Sequence, residues 1–370
     1  MQERSERLLS LDVFRGITIA FMIIVNSPGN DTAYWPLDHA AWNGLTPTDL
    51  VFPFFVFIVG VSLAFSFRRR LERGETKSAL MVQVFKRTLV IFGLGLLLNA
   101  FPFTPQHLAA IRILGVLQRI ALCYFFSSVF FLFTNIAVQL LAILVLVIGY
   151  WWLMMHVPVP GFGVGNLTKE GNLAAYIDRL WLAGHMYRPV YDPEGLLSTL
   201  PAIATGLIGN LAGNWLLSGW TKAQKVTGMI QAGLIFWLAG VKWAVWFPIN
   251  KALWTSSYVL VTAGYALLLL SACYWLIEIK GYRRWGKFFE VFGVNAIAAY
   301  FLHVFFLKVQ NLWLLPRLDG SPGNIRIYLS EHVFGWTTPQ NASLGYALLY
   351  TLFWFFFLWV LYRKRIFIKI

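Results

Sequence analysis

Residues 49–70 read Asp49-Leu50-Val51-Phe52-Pro53-Phe54-Phe55-Val56-Phe57-Ile58-Val59-Gly60-Val61-Ser62-Leu63-Ala64-Phe65-Ser66-Phe67-Arg68-Arg69-Arg70. No side chain between the aspartate and the arginine triplet is ionisable, and the run matches the roughly 20 apolar residues that a helix needs to cross a bilayer. The rest of the chain has the same character. Of 370 residues 58% are hydrophobic and 12% charged, with a mean hydropathy of +0.65. Soluble domains carry about 25% charged residues, so an ordinary water-soluble protein is excluded. The net charge of +14 would suggest nucleic acid in a soluble chain; here it reports topology.

Working outward, ten runs qualify as spans: 12–28, 49–67, 88–103, 111–133, 136–155, 196–217, 226–244, 253–277, 288–308 and 344–362. The first keeps Asp12 and Arg15 and lacks a small-residue cleavage site, so it reads as a retained span and not a signal peptide. Lys and Arg concentrate on the side of the N-terminus: Arg4 and Arg7, then Arg68 to Lys77 with Lys86 and Arg87, then Lys222 and Lys225, the 280–287 loop, and Arg363 to Lys369. By the positive-inside bias both termini are cytoplasmic. The expected fold is therefore all-α: a polytopic bundle of about ten transmembrane helices forming a single domain over 1–370. Its outer loops are 29–48, 156–195 and 309–343, whose Pro, Gly, Asn and aromatic content predicts ordered structure. Gly206, Gly209 and Gly213 provide small residues for close helix packing. Cys123 and Cys273 lie in apolar runs and suggest neither disulfide nor metal.

Polar residues within spans are costly and stand out as functional candidates. Asp12 and Arg15 are three apart on one helix face and can pair. Gln118 and Arg119 interrupt the fourth run, with Arg112, Gly115 and Arg119 on one helical stripe. Two readings of Arg119 stand: it lines a cavity for an anionic ligand, or it neutralises Asp12 or Asp49. His303 reads as a packing histidine. The densest polar chemistry runs from Asn26 to Asp49. Thr46-Pro47-Thr48-Asp49 resembles a helix cap, and His39 lies between Trp35 and Trp42. Histidine is suited to moving a proton near neutral pH; an interfacial belt of Trp and His is the alternative.

Several segments together resemble the heparan-alpha-glucosaminide N-acetyltransferase family and its bacterial relatives. These are Leu11-Asp12-Val13-Phe14-Arg15-Gly16, Asn26, Tyr34-Trp35, His39-Ala40-Ala41-Trp42-Asn43-Gly44-Leu45-Thr46, Asp49-Leu50-Val51-Phe52-Pro53 and Phe55-Val56-Phe57-Ile58. The likeness continues in Arg112-Ile113-Leu114-Gly115-Val116-Leu117-Gln118-Arg119, Tyr176-Ile177-Asp178-Arg179, Tyr191-Asp192-Pro193-Glu194-Gly195-Leu196 and, more loosely, Gly293-Val294-Asn295-Ala296. Several motifs in one order are more specific than a lone pattern.

The resemblance implies a transmembrane enzyme that moves acetyl from cytosolic acetyl-CoA to the amine of a glucosamine-type sugar on the far side. His39 is then the catalytic histidine and Asn26 a second catalytic group. Coenzyme A is polyanionic, so its nucleotide end is expected at cytoplasmic cations, with Arg69, Arg87 and Lys287 as candidates and Gln118 and Arg119 along the pantetheine arm. Asp49, Asp178, Asp192, Glu194 and Trp42 are candidates at the acceptor. Asp38 or Asp49 orients His39, and turn-building is the alternative for Asp192 and Glu194. His39 acts either as general base or as an acyl carrier. The chain starts almost directly at the first shared span, without the lysosomal enzyme's lumenal domain, which brings a small amino sugar or cell-wall glycan and a bacterial inner membrane into view. Expected partners are acetyl-CoA, the sugar or glycan, membrane lipid and a second copy in a homodimer, with no metal and no nucleic acid. The rival function is an amino-sugar permease, against which stands the lack of paired, Gly/Pro-interrupted spans in two halves.

Overall fold

The computed structural model describes residues 8–318 and 320–368; Arg4, Arg7 and Lys369, counted above among the cytoplasmic cations, lie outside them. Its helices are α1 (Leu9–Asn26), α2 (Val51–Glu72), α3 (Lys77–Ala100), α4 (Pro105–Ala109), α5 (Val116–Phe133), α6 (Ile136–His156), α7 (Leu173–Leu182), α8 (Thr199–Leu217), α9 (Lys222–Trp243), α10 (Ser256–Tyr274), α11 (Gly286–Val294), α12 (Ala296–Gln310), α13 (Ile325–Phe334) and α14 (Pro339–Arg363). One antiparallel hairpin, β1 (Leu314–Pro316) with β2 (Pro322–Asn324), pairs Leu315 with Gly323. Local sequence sets many of the starts. Thr76, Asn135, Thr221 and Thr338 each accept a hydrogen bond from the backbone N–H three residues on, which satisfies a donor the helix leaves unpaired.

Among the described residues nine helices are long and apolar enough to cross a membrane, and ten spans result if one bent pair counts as a span. The chain is a multi-pass membrane protein. Three expectations are corrected. The span placed at 288–308 is not one helix but α11 and α12, bent by 78° at Asn295. The third helix begins at Lys77 and not near 88, so Lys86 and Arg87 lie on it; long cationic side chains extend from a helix without ending it. The fourth helix begins at Val116 and not 111; residues 111–115 form no regular element, and Gly115 caps the helix in extended backbone. Arg112 and Arg119 therefore do not share a helical stripe.

Contacts divide the chain into two compact units. The first contains residues up to 40, 46–51 and 272 onward. Here α1 packs on α11, α12 and α14. The α1–α11 crossing is close: a Cβ on Gly16 would lie 1.7 Å from the Phe289 carbonyl oxygen, and one on Gly293 2.1 Å from that of Asp12. Small residues permit such backbone approach within a membrane. Asp12 and Arg15 pair at 3.0 Å, and the same guanidinium donates to the Gly293 carbonyl at 3.2 Å, covering an acceptor at the end of α11. At the bend, Asn295 Nδ2 donates to the Ile366 carbonyl (3.1 Å) while its Oδ1 accepts from Ile368 N–H (2.9 Å).

The second unit contains residues 41–45 and 52–271. Its α5 packs on α3 and α8, and α6 on α8. Gly209 and Gly213 sit against α2, where a Cβ would fall 2.1 Å from the Phe57 carbonyl oxygen and 2.5 Å from the Ala64 methyl. The expected packing role of these glycines is thus observed. Most of α8 is buried, whereas only 22% of the apolar stretch of α6, and the same share of α9, is buried. Those two helices leave most of their apolar surface exposed.

Candidate active site

α1 ends at Asn26, and the Ser27 hydroxyl turns back to the Ile23 carbonyl. Gly29 N–H then donates to the Ser343 carbonyl and hydroxyl oxygens at 3.2 and 3.1 Å. A Cβ at Gly29 would lie 2.8 Å from the Ser330 hydroxyl oxygen and from the Tyr346 Cβ. Asn30 Nδ2 donates to the Pro339 carbonyl (2.9 Å) and the Tyr34 hydroxyl to Asn341 Oδ1 (2.6 Å). The first half of the loop is therefore tied to the start of α14.

The second half is built on the Thr46-Pro47-Thr48-Asp49 cap. Residues 47–50 form a 3-10 turn with a reciprocal capping box between Thr46 and Asp49. Asp49 Oδ2 accepts from Thr46 N–H and Ala40 N–H, each at 3.1 Å, and its Oδ1 lies 2.7 Å from His39 Nδ1. Asp38 holds the other side of the histidine backbone: its Oδ1 accepts from His39 N–H at 2.8 Å, and its carbonyl accepts from the Thr46 hydroxyl at 2.7 Å. Of the two aspartates considered, Asp49 meets the ring and Asp38 the main chain. A carboxylate only accepts, so the proton of a neutral His39 sits on Nδ1 and Nε2 is the basic nitrogen. The Asp49 side chain is 1% exposed and that of His39 52%, which combines a fixed carboxylate with an accessible ring. Asn26 is exposed, and its helix packs against the 47–50 turn.

In the second unit, Trp42 Nε1 donates to the Leu167 carbonyl (2.9 Å), and its ring meets Tyr191 edge-on at 5.2 Å. Lys169 Nζ lies 5.6 Å over that ring. Arg112, in the non-helical segment before α5, holds Asp192 through Nε (3.0 Å) and Nη2 (2.5 Å) and also pairs with Glu194. Asp192 further accepts from the N–H groups of Tyr187 and Glu194. Burial opposes the Arg112 charge, but Glu194 and Asp192 outweigh it and raise its pKa. Asp192 and Glu194 are thus bound into a turn by an arginine that sequence spacing had placed on a helix.

Arg119 is buried and donates to the carbonyls of Pro193 (3.0 Å) and Gly195 (3.1 Å) and to the Ser198 hydroxyl (2.5 Å), with its guanidinium 5.1 Å over Trp254. These contacts fix the same turn. Gln118 points elsewhere, against Gly95 and Gly115, with its Nε2 buried and unpartnered. Asp178 on α7 accepts from Leu196 N–H at 2.8 Å through Oδ1, and its Oδ2 is buried without a partner. A Cβ on Gly195 would fall 1.8 Å from that oxygen. Burial, reinforced by the Asp192 charge, pushes the Asp178 carboxyl up to about 7.

The remaining donor-side candidates differ in their surroundings. Arg87 stacks on Tyr124 at 4.9 Å, Arg69 is half-buried near the end of α2, and Lys287 is exposed in the first turn of α11, in the other unit. Arg112 and Ser198 were missed as site-building residues. Their partners lie 80 and 79 residues away, and no local pattern announces such pairs. Among the described residues no group of three or more His, Cys, Asp or Glu is arranged to hold a metal.

A family model described as "Heparan-alpha-glucosaminide N-acetyltransferase, catalytic" matches residues 7–247. The chain is 32% identical to human heparan-alpha-glucosaminide N-acetyltransferase and 30% identical to the mouse protein of that name. The alignments cover 98% and 99% of this chain but 60% and 61% of the relatives, so the chain spans about three fifths of their length. A model matching well over half of the chain, joined by two relatives aligned along nearly all of it, places this protein in the heparan-alpha-glucosaminide N-acetyltransferase family.

Proposed function

We propose that this protein is a transmembrane N-acetyltransferase that moves acetyl from cytosolic acetyl-CoA to the amine of a glucosamine-type sugar on the opposite side of a bacterial inner membrane. The observation that carries the reading is the His39–Asp49 pair, a half-exposed imidazole oriented by a buried carboxylate. The names of the relatives supply the reaction class. The bias of Lys and Arg toward the loops opposite His39 supports the sidedness.

In this reading His39 Nε2 takes a proton from the acceptor amine as nitrogen attacks the thioester carbonyl. The new C–N bond gives a tetrahedral oxyanion, to which the Asn26 amide donates. Collapse breaks the C–S bond, and the proton held on Nε2 passes to the coenzyme A thiolate. Asp49 keeps the ring in the tautomer with Nδ1 protonated and stabilises the imidazolium that forms. Trp42 offers an aromatic face to the sugar, and Asp178 acts from within the protein by holding the Leu196 N–H. Arg69, Arg87 and Lys287 are the cations proposed for the nucleotide phosphates. Asp192, Glu194 and Arg119 shape the acceptor surface through the 192–198 turn.

The test is transfer of labelled acetyl from acetyl-CoA to glucosamine by the purified protein, compared with His39→Ala. Label on the sugar that depends on His39 supports the proposal. A folded native protein that neither binds acetyl-CoA nor transfers label, but moves the sugar across a vesicle membrane, overturns it in favour of a permease.

A further inference from the structure

A second binding feature lies within the second unit, on the exposed apolar sides of α6 and α9. Where α6 and α9 end, Trp151, Ala239, Lys242, Trp243 and Trp246 line an open groove of about 490 Å³. That volume lies in the range of small-molecule sites. Trp151 and Trp243 meet edge-on at 5.9 Å to form one wall, while Trp246 is 67% exposed. Below the groove, Leu144 and Ile148 on α6 and Leu234 and Leu238 on α9 are exposed apolar residues of spans, so its walls run on into the surface that meets hydrocarbon.

We propose that this groove binds an anionic glycerophospholipid, with an acyl chain along the tryptophan walls and the phosphate at Lys242. Three observations select this occupant. The walls are apolar and continuous with the lipid-facing sides of α6 and α9. Tryptophan is the residue that settles at the headgroup level of a bilayer. The one charged side chain of the lining is a lysine, and no acidic residue opposes it. A glycan would need hydrogen-bonding partners for its hydroxyls, but the Trp151 indole N–H is buried away from solvent and the lining contains no carboxylate or amide side chain.

The groove also has a route to the candidate acceptor surface. Trp151 and Trp243 pack on the buried cluster of Tyr150, Met154, Leu173, Ala174, Phe247 and Leu253, and Trp42 and Tyr176 pack on the same cluster. A lipid seated in the groove supports the core from which Trp42 projects. The binding itself does not rest on the acetyl-transfer reading.

The test is equilibrium binding of phosphatidylglycerol and phosphatidylcholine to the full chain in a non-ionic detergent, read by native mass spectrometry. Lys242→Gln, Lys242→Arg and Trp246→Ala are compared, with thermal unfolding as a check that each variant folds. Lys242 and Trp246 are exposed, so their replacement leaves the core intact. Phosphatidylglycerol is expected to bind more tightly than phosphatidylcholine. Lys242→Gln weakens phosphatidylglycerol by about fivefold and leaves phosphatidylcholine unchanged. Lys242→Arg keeps the preference, and Trp246→Ala weakens both lipids. Equal affinity of the native chain for the two lipids, or phosphatidylglycerol binding untouched by Lys242→Gln and Trp246→Ala, overturns the proposal. Displacement of phosphatidylglycerol by a sulfated glucosamine oligosaccharide overturns it as well and assigns the groove to a glycan.

Discussion

Two carboxylate-rich regions of this protein use the same chemistry to opposite ends. In the first unit Asp49 holds His39, and the ring it orients remains half exposed. In the second, Asp192 and Glu194 are held by Arg112 while Arg119 grips the carbonyls between and beside them. One arrangement leaves an imidazole ring half exposed; the other uses its charges to hold a turn. Buried polarity in a membrane bundle therefore does not by itself mark reactivity. What distinguishes the regions is whether the polar network includes a side chain that is itself half exposed.

The contrast predicts kinetic damage from one region and structural damage from the other. His39→Ala has the largest expected effect, a fall in acetyl transfer of about 10²–10⁴-fold, the range general-base help supplies, with thermal unfolding unchanged. Asp49→Asn comes next. It leaves the imidazole in place but loosens its aim and tautomer, and a misplacement of about 1 Å costs about 10²-fold in kcat. Arg112→Ala, in contrast, leaves Asp192 and Glu194 unpaired. Removal of one partner from a buried charge cluster costs about 3–5 kcal/mol, read as a lower unfolding temperature, and Arg112→Lys, which loses the bidentate fork, falls between.

Asp178→Asn gives the smallest effect and the only one with a pH signature. Burial raises the folded carboxyl to about 7, above its ordinary value near 3.9, so the folded state binds more protons than the unfolded chain between those two pH values. The contribution of Asp178 to stability is fully present below the unfolded pKa and is lost as pH rises through about 7. Asp178→Asn removes this dependence. Unfolding measured at pH 5 and pH 8 then differs less in the variant than in the native chain, by about 2–3 kcal/mol. Equal pH responses would remove Asp178 from the set of titrating groups.

The sequence carried the span pattern because membrane helices declare themselves by length and apolarity. It did not carry the 78° bend. Asn295 belongs to the motif Gly293-Val294-Asn295-Ala296, but the bend sits with a glycine crossing on α1, with Arg15 at the Gly293 carbonyl and with the 366–368 segment. The cap before α2 was legible because Thr-Pro-Thr-Asp is a local signal, and that cap is what buries Asp49 under His39. The choice between Asp38 and Asp49 was not legible, since it turns on how the 39–49 segment closes on itself. Arg112 was misplaced for a related reason. The start of a run that looks helical is non-helical, and its Arg112 meets acids 80 and 82 residues away.

The most direct test of the central claim is acetyl transfer across a sealed membrane. Proteoliposomes containing the full chain receive labelled acetyl-CoA outside only, with glucosamine trapped inside. The account predicts labelled N-acetylglucosamine in the lumen with native protein and none with His39→Ala. Product that forms only when both substrates share one compartment would contradict it.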